Sequence, residues 1–171
     1  MKLLLGFVIG LLLMPLLAFF YIRFGYAPVA TAAPPLPTER TITHMALNAR
    51  VSKEAPGNSP IQPTEQNLMA GADIYRENCA VCHGMMGKPQ TATAKGMFPK
   101  PPHLLQGKGV TDDPVGETYW KAANGIRLTG MPGYRGSLSD EQLWQVSQLL
   151  ANADKLPAAV TQVLSEPQPA K

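Results

Sequence analysis

The chain lacks the features that mark several protein classes. It has only two cysteines in 171 residues, too few for the multi-disulfide scaffold of a small secreted domain. No stretch alternates apolar and polar side chains as a half-buried strand does, so β architectures have no signal. From residue 65 onward, ten basic and ten acidic side chains cancel, and the formal +3 arises within residues 1–64. A folded part without cationic surplus lacks the clustered basic surface that nucleic-acid binding requires.

What the chain does contain is unevenly distributed. Residues 3–22 run twenty positions without a charge, long enough to cross the hydrocarbon core of a bilayer as a helix. A cleavable signal peptide has a shorter apolar core of about 7–15 residues. Lys2 precedes the run and Arg23 follows it, a weak asymmetry that favours the N-terminus inside. Small residues at Ala30-Thr31-Ala32 offer a cleavage site, so removal of the leader stays open beside a retained anchor over 1–26. Either reading exports the remainder of the chain.

Between Ala27 and Thr64 there are seven prolines in 38 residues, few large apolar side chains and no clear period. Such a segment buries too little apolar surface to offset its ordering entropy. Residues 27–63 are therefore expected to be an extended linker, reaching about 35 Å as a flexible coil. The spacing predicts an all-α domain over 64–157 with three main helices and long loops, followed by a flexible tail over 158–171. In the first helix, Thr64 is the N-cap and Leu68, Ala72, Tyr75 and Cys79 share one face. The middle helix takes Asp113 as cap and Pro114 at its first position, and ends at Gly125. The last opens with a Ser139/Gln142 capping box and carries Leu143, Val146, Leu149 and Leu150 on one side.

Both cysteines fall in Cys79-Ala80-Val81-Cys82-His83. Cys-x-x-Cys-His is the attachment sequence for a c-type haem. Two thiols one helical turn apart reach the porphyrin's vinyl groups, and the next residue presents an imidazole to the iron as proximal ligand. Other readings are poorer. A thioredoxin-like motif would sit in a βαβ pattern, which is absent. Zinc needs four ligands, and beyond this motif only His44 and His103 remain as donors.

The opposite axial ligand separates a closed electron carrier from an open, reactive iron. Met85 and Met86 follow His83 too closely to reach the far face of the ring, and Met69 is expected to pack within the first helix. Met97 lies in a Lys/Pro-rich loop within reach. Met131 stands in Gly130-Met131-Pro132-Gly133, 48 residues beyond His83, in a turn whose proline and glycines present one side chain. A thioether there raises the reduction potential relative to a second histidine. His83 and Met131 are thus the expected iron ligands, with Cys79 and Cys82 as the attachment points of one haem c.

These residues resemble the small bacterial c-type cytochromes of class I fold. The resemblance rests on Glu77-Asn78-Cys79 through His83-Gly84, on Pro99-Lys100-Pro101-Pro102, and on Tyr119-Trp120 leading to Asn124-Gly125-Ile126-Arg127. It continues in Thr129-Gly130-Met131-Pro132 and in Leu138 through Trp144. It implies that the first and last helices cross near Gly71, with Tyr75 and Trp144 as neighbours. It also implies that a proline carbonyl within 99–102 accepts the proton on the other nitrogen of His83. Arg127 is expected near a haem propionate or as a solvated cation, His103 as an exposed side chain, and Trp120 as core or haem-pocket packing. Haem attachment in this class takes place outside the bacterial inner membrane.

The expected function is one-electron transfer, with no catalytic residue set and no enzyme activity of its own. The expectation is a cytochrome c tethered to the inner membrane by its N-terminal helix, with its haem domain in the periplasm and redox proteins of the respiratory chain as donor and acceptor. A fixed haem subunit of a larger dehydrogenase or terminal oxidase is the alternative. A haem enzyme or sensor with Met131 displaced, and a thiol oxidoreductase, stand further off.

Overall fold

The computed structural model describes residues 2–106 and 113–166. Among these, every regular element is helical: α1 (Lys2–Arg23), α2 (Glu39–Glu54), α3 (Glu65–Asn78), α4 (Ala80–His83), α5 (Ala92–Gly96), α6 (Val115–Asn124), α7 (Asp140–Ala151) and α8 (Ala158–Ser165). The chain divides into two compact units, the first ending at Arg40 and the second beginning at Thr41.

The first unit is dominated by α1, whose mean hydropathy reaches 2.7 and none of which is buried. Its length and composition suffice to cross a membrane. Aromatic side chains gather at its C-terminal end, where Phe20 stacks on Phe24 and Tyr21 on Tyr26, the placement such rings take at a membrane–water interface.

In the second unit α3 and α7 cross in direct contact. A side chain at Gly71 would run into the Gln145 carbonyl, so glycine is what lets the backbones approach. Leu68, Ala72 and Tyr75 of α3 pack with Val146, Leu149 and Leu150 of α7. A second cluster joins α6 to α7 through Tyr119, Ala123, Leu143 and Trp144, with the Tyr119 and Trp144 rings stacked 4.1 Å apart. Trp144 therefore belongs with Tyr119, while Tyr75 lies in the other cluster. The expected caps form: Thr64 Oγ1 accepts from Asn67 N–H, and Ser139 and Gln142 make the reciprocal capping box. Pro114 differs from expectation. It is the N-cap, in an extended conformation, and Asp113 instead receives the Lys121 ammonium at 3.1 Å.

Two segments expected to be irregular are helices. The proposed linker contains α2, because its prolines lie at the two ends and Thr38 through Ala55 has none. Glu39 accepts from Leu36 N–H at the start, and Arg50 pairs with Glu54 one turn on. Val51 is buried, Glu54 accepts from Trp120 Nε1–H at 3.2 Å, and Gly116 of α6 lies against the Pro56 carbonyl. Trp120 thus faces this segment. The proposed flexible tail likewise begins with α8, which packs on α3 with Val160 and Leu164 fully buried. Burial of two such side chains contributes about 1.5–3 kcal/mol each, enough to order a short helix against a preformed core. Residues 167–171 of that tail lie outside the described residues.

Candidate haem-binding site

The attachment motif is built on a break between two helices. Cys79 ends α3 and caps α4; its carbonyl accepts from both Cys82 N–H (3.1 Å) and His83 N–H (2.9 Å). Cys79 and Cys82 therefore stand on a single turn, both half-buried and both free thiols. Gly84, at φ 80°, stops α4 at once, and its carbonyl accepts from the buried Tyr75 hydroxyl at 2.7 Å. Tyr75 on α3 thus fixes the chain directly after His83.

His83 Nδ1 lies 2.8 Å from the Pro102 carbonyl. A carbonyl only accepts, so Nδ1 carries the proton and Nε2 keeps its lone pair. Of the prolines in 99–102, Pro102 is the one that orients the imidazole; the Pro101 carbonyl accepts from Gln90 instead. Burial holds the His83 pKa below its ordinary value, the Pro102 bond works the other way, and His103 nearby lowers it further. The imidazole is neutral at neutral pH, the form that ligates a metal. His103 is not the exposed side chain expected. Its ring is half-buried, lies against Gly84, and places Nε2 3.1 Å from the Lys88 carbonyl.

The Met131 segment closes on itself beyond α6. Ile126 N–H donates to the Met131 carbonyl (3.2 Å), Met131 N–H to Thr129 Oγ1 (3.1 Å), and Thr129 Oγ1–H to the Ile126 carbonyl (2.7 Å). The returning strand of the loop caps the helix: Tyr134 and Arg135 N–H donate to the Ala122 and Ala123 carbonyls, groups left without intrahelical partners at a helix end. Gly125, at φ 69°, lies so close to Gly133 that a Cβ there would sit 2.5 Å from the Gly133 nitrogen. Met131 is thus held in a ready-made loop. Met97 is brought to the same place, since a side chain on Gly130 would run into its methyl group. Met69, Met85 and Met86 pack against the α3–α7 core.

This donor set fits a covalently attached haem: two thiols on one turn, an imidazole with Nε2 available, and a thioether in a closed loop. Burial, with Cys82 adding to it, pushes the Cys79 pKa up to about 12, whereas a reactive CxxC thiol has its pKa lowered. Among the described residues, no group of three His, Cys, Asp or Glu side chains is arranged to hold a metal ion. Arg127 is exposed at the start of the Met131 loop.

Two contributors had no signal of their own in the sequence. The Tyr75 and Tyr134 hydroxyls reach backbone carbonyls, Tyr134 bonding Asn78 across 56 positions of sequence at 2.8 Å. Only their positions hinted at this, Tyr75 one turn before the motif and Tyr134 three residues after Met131.

Comparison with known proteins agrees with this chemistry. Residues 66–150 match the family model described as cytochrome c oxidase, cbb3-type, subunit III. The chain is 33% identical to cytochrome c6 of Limnospira maxima over 81 residues, 47% of this chain and 86% of that protein. It is 32% identical over 116 residues to thiosulfate dehydrogenase of Stutzerimonas stutzeri (strain A1501), covering 65% of this chain but only 36% of that protein. Among solved structures it resembles a chain of the reducing HAO-like protein complex of Kuenenia stuttgartiensis, with 27% identity and a TM-score of 0.49. That match covers 57% of this chain and 48% of the other. An all-helical domain, a Cys-x-x-Cys-His turn and near-complete coverage of a cytochrome c6 together place the chain among the small monohaem c-type cytochromes, electron carriers with one covalently attached haem c.

Proposed function

We propose that this cytochrome is a membrane-tethered, periplasmic one-electron carrier serving redox proteins of a respiratory chain, and not an enzyme on its own. Cys79 and Cys82 would hold the haem through thioether bonds, and His83 and Met131 would supply the ligands to its iron. The observation that carries the reading is the His83–Pro102 bond at 2.8 Å, which commits Nδ1 and leaves Nε2 to the iron. When bound, the haem supplies a site that stores and releases one electron reversibly. The chain supplies the constancy of its surroundings. Pro102 holds the imidazole plane, Tyr75 holds the residue after it, and the hydrogen-bonded loop holds the Met131 thioether. With both ligands fixed in this way, neither would have to move between oxidation states, and Met131 would keep oxygen and peroxide from the iron.

Docking follows from charge and exposure. The chain from residue 65 on carries no net charge, while Val81, Phe98 and Leu128, in the segments that carry the ligands or Met97, are exposed apolar side chains. Encounters through a small apolar patch suit weak electron-transfer complexes, which bury little area. Support for the tether is the length of α1 and its terminal aromatic cluster.

A second reading has a specific observation in its favour. The matching family model is named for an oxidase subunit, and the similarity to thiosulfate dehydrogenase extends that reading to a fixed haem subunit of a larger enzyme. Purification of the full chain in mild detergent separates the two: a carrier elutes alone, a subunit with its complex. The carrier reading also requires a one-electron Nernst titration and no carbon monoxide binding by the reduced protein. Carbon monoxide binding would transfer the function to an open iron.

A further inference from the structure

The Met131 loop is tied to the rest of the domain at two levels. At its neck, backbone bonds from Tyr134 and Arg135 cap α6. Beyond the neck, the hydroxyl of Tyr134 donates to the Asn78 carbonyl at 2.8 Å, a bond across 56 positions of sequence. Asn78 is the last residue of α3, directly before Cys79. The Tyr134 ring also packs against the Tyr119–Trp144 cluster, so it is anchored apart from its hydroxyl.

We infer that Tyr134 is the positioning residue for the sixth ligand, clamping the Met131 loop to the turn that bears the thioether cysteines. The inference rests on the assignment of Met131 above and adds to it. The clamp lies one position from Cys79 at its Asn78 end and three positions from Met131 at its Tyr134 end. The turn that bears the cysteines and the loop that bears Met131 are therefore held from a common point. In the closed protein Met131 occupies the iron; an exogenous ligand enters only in the fraction of molecules whose loop has opened, and its apparent affinity scales with that fraction. Removing one neutral hydrogen bond raises the open fraction about five-fold.

The test uses full-length, haem-loaded protein and imidazole as competitor for the oxidised iron, followed by absorption. Tyr134→Phe keeps the packed ring and is expected to bind imidazole about five-fold more tightly than the unmodified protein. Tyr119→Phe is the control, because it loses a charge-assisted hydroxyl bond, to the Asp140 carboxylate at 2.6 Å, that does not hold the loop; its imidazole affinity is expected to stay within two-fold. The clamp is overturned if Tyr134→Phe also stays within two-fold, or if Tyr119→Phe shifts as far. If Met131→Ala binds imidazole no more tightly than the unmodified protein, Met131 is not the ligand, and both the assignment and the clamp fall. With Met131→Ala much tighter and Tyr134→Phe unchanged, the clamp alone falls.

Discussion

The two sides of the proposed haem site, the Cys79–His83 turn and the Met131 loop, are made in opposite ways. On the proximal side, Cys79, Cys82 and His83 lie within five consecutive residues on one helical turn, and outside groups, the Pro102 carbonyl and the Tyr75 hydroxyl among them, complete the arrangement. On the distal side, Met131 is 48 residues away, and its position depends on a loop that closes on itself, on two glycines in backbone contact and on a tyrosine reaching back to α3. The proximal side is largely local chemistry at a helix end. The distal side is tertiary structure, so it should be the first to loosen.

The largest expected effect strikes the proximal side. Replacing Cys79 and Cys82 together with Ala removes covalent haem altogether, read as loss of haem-staining protein after denaturing electrophoresis. Retained covalent haem would break the assignment. Next comes the neck of the distal loop. In Gly125→Ala the new Cβ meets Gly133 and a backbone at φ 69°, and overpacking of this kind costs about 1–3 kcal/mol. The loss should appear in the stability of Met131 ligation, followed by absorption at rising denaturant, before global helix content falls.

Alkaline pH sharpens the comparison further. Burial, ahead of other causes, holds Tyr75, Tyr119 and Tyr134 above the ordinary phenol pKa of 10.0. In the unfolded chain these phenols ionise first, so the unfolded state binds fewer protons above about pH 10 and stability falls as pH rises. Each tyrosine still protonated in the folded state adds to that slope. Urea midpoints between pH 8 and 11.5 should decline, and both Tyr75→Phe (proximal) and Tyr134→Phe (distal) should flatten the decline. A flat profile would contradict the burial of these hydroxyls. The smallest effect is at Leu128, the one non-glycine residue with positive φ (61°) among those described, and nearly fully exposed. Leu128→Asn relieves that strain and should stabilise the protein by about 1 kcal/mol or less in denaturant titration, leaving the proximal side unchanged.

Legibility followed the same division. The Cys79–His83 turn and the Thr64 and Ser139 caps were readable because each is a local pattern, whereas the crossing at Gly71 followed only from the resemblance to class I cytochromes. Pro102 was not separable from its neighbours, since four residues of Pro-Lys-Pro-Pro give one composition and only the folded chain aims one carbonyl. Helix α2 was hidden by averaging over a segment whose prolines lie at its ends; the proline-free run from Thr38 to Ala55 was the usable signal. Helix α8 was hidden by its small, proline-flanked span, although Val160, Val163 and Leu164 already had helical spacing. The Tyr134–Asn78 bond joins positions 56 apart, and no local pattern encodes it.

The most direct test of the account is the weak long-wavelength sulfur-to-iron charge-transfer band of the oxidised, haem-loaded protein. The account predicts that the band is present, persists in Met97→Ala and vanishes in Met131→Ala while covalent haem is retained. A band that survives in Met131→Ala and vanishes in Met97→Ala would contradict it, making Met97, which the fold brings against Gly130, the ligand in place of Met131.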